Sequence, residues 1–182
     1  LKLSRAGRVM SYEFYPSVMH SQARLTYTQV GQYFEGKTDA IPADKSIQKS
    51  LNTLFQLYQT LKELRAKRHA MEFETVETYM TFDELGGIKE ILPRTRNEAH
   101  KLIEECMLLA NVAAAEYALE HDIPMLYRVH EAPEFSRIQK VKDFVKLLGL
   151  PFPDQPTQAD YQRVIEATKD RIDAPSIHAV LL

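Results

Sequence analysis

Two adjacent glutamates, Glu104 and Glu105, stand inside the long apolar run KLIEECMLLANVAAAEYA, residues 101–118. Desolvating a carboxylate is costly unless it is paired or hydrogen-bonded, so an acid in such a run needs a reason to be there. At about 100° per residue the two glutamates separate. Glu105 falls on a narrow polar strip with Glu98, Lys101 and Glu116. Glu104 projects among Met107, Leu108, Asn111 and Ala115, with His100 one turn before it. Two readings of Glu104 follow. It is an acid in the wall of a cleft, hence a candidate site residue, or a structural acid hydrogen-bonded to a loop or paired with His100. His130 follows an apolar strand pattern in LYRVHEAP, at a strand end where ligands often bind; the plainer reading is a surface or structurally bonded imidazole. Tyr27 and Phe73 lie on or beside polar-faced strand patterns and could stack on flat bases, although burial in a core is the ordinary fate of such rings.

The elements that must position these residues are legible from periodicity. The 101–118 run carries Ala99, Leu102, Ile103, Cys106, Leu109, Ala110, Ala113 and Tyr117 on one stripe, with much of the opposite side also apolar. It is expected to be a central helix buried on most sides. Before it, Leu1 to Leu3 is expected to end a strand, Ala6-Gly7 to turn, and Arg8 to Phe14 and Ser17 to Leu25 to form half-buried strands by alternation. Tyr27 lies near the start of a short helix through Tyr33. After a polar loop over Gly36 to Asp44, Asp44 can cap a helix from about Ser46 to Arg68. Its buried face is Ile47, Leu51, Leu54, Tyr58 and Leu61. Met71, Phe73 and Thr75 then alternate with Glu72 and Glu74 as in a strand. Thr78 to Phe82 and Ile88 to Leu92 flank DELGG, a hairpin connection with glycines for positive φ. Ile123 to Val129 predicts a short buried strand. Pro133 to Leu148 and Thr157 to Ile172 predict two further helices. The expected class is α+β: antiparallel strands packed with several helices around one long buried helix.

Composition narrows the possibilities without choosing a reaction. The chain has 182 residues, 45% hydrophobic and 26% charged, enough for one domain with a real core. The formal net charge of −2 argues against a free-standing nucleic-acid binder, yet a local groove can still be positive. A single cysteine, Cys106, rules out an internal disulfide framework and fits a reducing cytoplasm. No signal peptide or membrane-length apolar run is present. There is no phosphate-binding glycine loop, CxxC pair, HExxH or GxSxG. The chain opens on LKLSRAGRV without an initiator Met and stops at HAVLL within an apolar helical pattern, so a fragment of a longer polypeptide is expected.

The wording of three segments goes further. YEFYPSVMHSQARLTYTQV resembles the segment of ribonuclease II and ribonuclease R catalytic domains that reads as an aromatic strand followed by S-x-A-R-L-T-Y. RNEAHKLIEECMLLANVAAAEY is very similar to the long helix of the same family, with its I-E-E-x-M-x-x-A-N core. LYRVHEAP resembles the short strand after it. The likeness runs in order over essentially the whole chain, and the L-T-Y and H-K-L-I-E-E-C-M wording is closer to the ribonuclease R branch.

The resemblance implies that residues 1–182 are the central portion of a single RNB-type catalytic domain, truncated at both ends. It implies a processive 3′→5′ exoribonuclease that hydrolyses single-stranded RNA to nucleoside 5′-monophosphates with Mg²⁺, as a cytoplasmic, monomeric parent protein. Within it, Tyr27 resembles a tyrosine that contacts RNA near the scissile end. Phe73 resembles the aromatic that stacks on the terminal base, and Glu104 an active-site carboxylate near the 3′-terminal nucleotide. His130 joins Tyr27 and Phe73 as an expected RNA contact. The family's metal-binding aspartates should lie upstream of Leu1, and its catalytic arginine segment beyond Leu182. Asp39, Asp44 and Asp83 are dispersed in loops and turns and do not replace the aspartates. Two-metal phosphodiester cleavage needs carboxylates converging on ions about 4 Å apart, so no metal ligand is assigned within the chain, and the chain alone is expected to be inactive. The competing expectation is a non-catalytic RNA-binding or scaffold protein that kept the fold and lost the chemistry.

Overall fold

A computed structural model describes residues 1–68, 70, 78–93, 95–129 and 131–181. In chain order its elements are β1 (Lys2–Leu3), β2 (Val9–Ser11), α1 (Tyr27–Phe34), a 3₁₀ turn (Thr38–Ala40) and α2 (Lys45–Lys67). There follow β3 (Thr78–Phe82), β4 (Ile88–Pro93), α3 (Glu98–Glu120), α4 (Phe135–Leu147), α5 (Gln158–Thr168) and α6 (Ala174–Leu181). The strands form two separate two-stranded antiparallel sheets, β1 with β2 and β3 with β4. The mixed α+β class read from the sequence is the class observed. Phe73 and His130 lie outside the described residues.

The chain forms two compact units. The first comprises Leu1–Leu64 and Arg96–Tyr127. Its buried side chains include Ile41, Tyr58, Leu61, Ala99, Leu102, Ala113 and Ala118, contributed by α2, α3 and the loop before α2. Helix starts are set by side-chain caps, as backbone N–H groups in a first turn require. Thr26 and Gln29 cap α1 reciprocally: the Gln29 N–H donates to Thr26 Oγ1 at 3.2 Å and the Thr26 N–H to Gln29 Oε1 at 2.9 Å. Asp44 performs the capping expected of it, accepting from the Ser46 and Ile47 N–H groups at 2.7 and 3.2 Å. The Ser46 hydroxyl, which donates to the same carboxylate at 2.7 Å, and then these two N–H groups hold it below the usual carboxylate range.

The second unit comprises Arg65–Thr95 and Arg128–Leu182. Its core is apolar: Val145, Val164, Ile165, Ile177 and Leu181 from α4, α5 and α6, with Val141, Phe144, Phe152 and Tyr161 packed around them. Asp160 accepts from the Thr157 N–H at 2.8 Å and the Thr157 hydroxyl at 2.7 Å, closing the start of α5 where the sequence places it. In the β3–β4 hairpin, Tyr79 pairs with Leu92, Met80 with Ile91 and Thr81 with Glu90. Gly86 turns with φ 82°, a conformation that strains any residue with a Cβ. Asp83 ties the turn by accepting from the Leu85 and Gly87 N–H groups at 2.9 and 2.8 Å.

Four expectations are corrected. Arg8 to Phe14 shortens to the three-residue β2, and Ser17 to Leu25 and Ile123 to Val129 form no strand. Alternation describes a strand only when a neighbour completes the hydrogen-bonded ladder. Among the described residues neither of those two segments has one, and Val18, Met19 and Leu126 are almost fully exposed. The long helix is also not buried on most sides. Ile103, Met107, Leu108, Val112 and Leu119 of α3 are exposed; the covered stripe is Ala99, Leu102, Glu105 and Ala113, with Ala118 buried separately near the end of the helix. Alanine permits close approach of a neighbouring backbone, so that stripe takes the packing in the first unit.

Candidate functional site

The sequence-predicted residues that can be located meet at the start of α3. Asn97 is the cap. Its Oδ1 accepts from the Ala99 and His100 N–H groups at 3.1 and 3.2 Å, and its own N–H donates to His100 Nδ1 at 3.3 Å. The Asn97 amide also donates to the Tyr27 carbonyl at 2.9 Å, so one residue fixes the starts of both α1 and α3. Gly31 makes that approach possible: a Cβ there would lie 2.4 Å from Asn97 Nδ2.

With the helices so fixed, the Tyr27 ring stacks on the His100 imidazole, centroids 4.0 Å apart and planes 17° from parallel. Tyr27 remains 46% exposed. A flat ring backed on one face and open elsewhere is a stacking platform for a planar group.

Glu104 lies one turn beyond His100. Arg96 grips it with both arms of the guanidinium fork: Nε donates to Oε1 at 2.9 Å and Nη2 donates to Oε2. The Glu104 side chain is 38% exposed. The expected place of Glu105 on a solvent strip is corrected: Glu105 is the buried acid, at 6% exposure, and Glu104 is the more open of the two. Glu105 shares the covered stripe with Ala99, Leu102 and Ala113, whereas Glu104 shares the open side with exposed Met107 and Leu108. Counting apolar neighbours along a helix misleads when the apolar side is the uncovered one. Of the alternative reading, a loop partner is the one observed: Arg96, in the loop before α3, takes the carboxylate in place of His100.

A second polar knot flanks the site. Tyr58 donates its hydroxyl to Glu98 Oε2 at 2.8 Å, with Lys62 Nζ at 3.4 Å from the same oxygen. Partial burial pushes the Glu98 carboxyl up, but the Tyr58 hydroxyl and the Lys62 and Lys101 ammonium groups outweigh it and hold the pKa below the ordinary value. Arg96 and Asn97 went unmarked in the sequence. The signal was available, because Arg96, His100 and Glu104 are spaced four apart and Asn97 precedes His100 by three, as a cap does.

Among the described residues no three His, Cys, Asp or Glu side chains gather closely enough to hold a metal ion. The site as it stands offers a backed aromatic ring, a fixed half-exposed carboxylate and a guanidinium. Those groups bind and orient; they do not form a metal cage.

The RNB domain model matches residues 1–181. Ribonuclease R of Vibrio cholerae serotype O1 is 40% identical over the whole chain, and that of Escherichia coli K12 is 37% identical over the whole chain. The chain spans 22% and 23% of those relatives' lengths. The apo form of Mycoplasma genitalium RNase R superposes on all of the chain with a TM-score of 0.88 at 25% identity, over 29% of its own length. The same enzyme in complex with ribose methylated single-stranded RNA matches 99% of the chain with a TM-score of 0.87, over 28% of its own length. With a family match over nearly every residue and the same backbone in a solved relative, the chain belongs to the RNB domain family.

Proposed function

We propose that the chain is the central portion of a single RNB catalytic domain in a processive 3′→5′ exoribonuclease that hydrolyses single-stranded RNA to nucleoside 5′-monophosphates. The observation that carries this reading is that a relative of the same fold over 99% of the chain is a ribonuclease R held in complex with single-stranded RNA. The Tyr27 platform and the surface carboxylate of Glu104 are groups such an enzyme would use. Tyr27, backed by His100, stacks on or abuts a base near the scissile end, a contact worth about 1–3 kcal/mol. Glu104 orients the 3′-terminal nucleotide by accepting hydrogen bonds from ribose hydroxyls, the groups that distinguish RNA from DNA. Phe73 is assigned to the terminal base and His130 to the RNA strand on the resemblance of their segments alone. Mg²⁺ is the expected cofactor of the whole protein, with ligands other than the described side chains of this chain. A cytoplasmic location and a monomeric parent belong to the same reading. No described helix is long and apolar enough to cross a membrane.

The test uses the full-length protein. It is incubated with 5′-labelled single-stranded RNA and Mg²⁺, and the products are resolved on a sequencing gel. Conversion to one very short labelled product without a ladder is the expected result. Intact RNA accompanied by a binding shift would replace the reading with a non-catalytic RNA-binding or scaffold protein of the same fold. Glu104→Ala in the same protein lowers turnover; unchanged turnover sinks the role given to Glu104.

A further inference from the structure

Glu104 projects from a helix surface, where a glutamate side chain ordinarily samples many rotamers. Here it does not have that freedom, because the Arg96 fork binds both carboxylate oxygens at once. A bidentate guanidinium–carboxylate pair fixes the plane of the carboxylate as well as its position, which an ammonium group cannot do. It also leaves acceptor capacity. A carboxylate has about four lone-pair positions, and the fork takes one from each oxygen. Each oxygen of Glu104 thus keeps one acceptor direction, and the side chain keeps 38% of its surface open to use it. Arg96 itself is anchored beside the capping residue Asn97, so the fork sits on the same rigid point that holds Tyr27.

We propose that Arg96 is the positioning residue of the site: its fork locks Glu104 in the one orientation in which the free side of the carboxylate reads the sugar of the terminal nucleotide, in register with the ring stacked on Tyr27. This rests on the role given to Glu104 above. Arg96 touches neither the reacting phosphate nor the sugar; it acts through Glu104 and sets specificity for ribose. A surface ion pair with this exposure adds little to stability, so its loss leaves the fold intact and removes the orientation.

The experiment compares wild-type full-length protein with E104Q, R96Q and R96K on two single-stranded oligonucleotides, all-ribose RNA and the same RNA ending in one 2′-deoxynucleotide. The readout is the ratio of kcat/KM between the two substrates, with thermal melting of each variant alongside. The wild type favours the ribose end. R96Q is expected to reduce that preference by roughly tenfold, matching E104Q, because loosened positioning costs about that much or more. R96K, which keeps the charge but not the fork, is expected to fall between R96Q and wild type. The double variant R96Q/E104Q should lose no more than either alone, since both remove one device. An R96Q protein with wild-type preference beside an impaired E104Q overturns the role of Arg96 while leaving that of Glu104. An E104Q protein with wild-type preference overturns both. Should R96Q fail to fold, R96K decides: a wild-type ribose preference in that variant overturns the proposal.

Discussion

Helix α3 and the α4–α6 cluster are both rich in apolar residues, but they bury them differently. In the cluster, Val145, Val164, Ile165 and Ile177 pack on one another and are sealed from solvent. On α3, residues of the same kind stand exposed along one whole side, and order enters at the first turn through Asn97, His100, Arg96 and Glu98. An apolar sequence thus secures a core when its own neighbours return to cover it, while polar caps and forks can fix a helix end regardless. The residues suited to binding sit at the polar end of α3, where position is set by directional bonds.

The comparison breaks most readily at matched isoleucines. Ile177 is 2% exposed and Ile103 is 47% exposed. Ile177→Ala should cost about 2–4 kcal/mol by deleting packed methyl groups and leaving a void. Ile103→Ala, which removes methyl groups that solvent largely reaches already, should cost far less, about 0.5 kcal/mol. Urea unfolding of the 182-residue chain measures both, and equal losses would erase the distinction between the regions. Next in size is Gly31→Ala. The new Cβ would meet the Asn97 side chain, and relieving the clash pushes the cap off both helices. The expected loss is about 1–3 kcal/mol, with fluorescence of the Tyr27 environment altered as its stack on His100 opens. A variant as stable as wild type would mean that the cap yields without cost.

How much of this could be read from the sequence follows the same division. The hairpin bounds of Thr78 to Phe82, the cap at Asp44, and the helix through Leu61 were legible because they depend on residues within a few positions of one another. Ser17 to Leu25 and Ile123 to Val129 were misread because a strand is a relation between segments, and alternation names one partner only. The exchange of roles between Glu104 and Glu105 has the same origin. Periodicity gives the angle between two side chains, but which angle faces a neighbour depends on where α1 and α2 pack. Glu104 stood out by periodicity and Tyr27 by its ring, resemblance gave both their RNA roles, and structure placed both at one helix end; Arg96, which connects the acid to that end, carries only the weaker signal of its spacing, because a lone arginine before a helix has many ordinary uses.

Glu98 sharpens the comparison with a smaller effect. Its pKa is depressed in the folded chain, so the Tyr58 and Lys62 contacts add stability that is present above the unfolded value and lost as pH falls through the folded one. Wild type should therefore exceed Glu98→Gln in urea midpoint near pH 7, and the gap should close as pH drops through and below the ordinary glutamate range near about 4.3. The gap is small because the pair is partly exposed and screened. A gap independent of pH would show that the substitution acts through packing rather than charge.

Cys106 gives the smallest effect and the finest probe of the covered stripe of α3. The thiol is half-buried, and burial first, then the neighbouring Glu105 carboxylate, pushes its pKa up. Thiolate is the reacting species, so Cys106 should react with a disulfide reagent near pH 8 more slowly than a free cysteine peptide, with a rate still rising where the peptide has levelled off. Removing the neighbouring charge with Glu105→Gln should recover part of that deficit, whereas Glu104→Gln, whose charge Arg96 already offsets, should recover less. Equal recovery by the two variants would mean that the acids are not partitioned between a covered and an open side, and would return the helix to the symmetric burial that its sequence suggested.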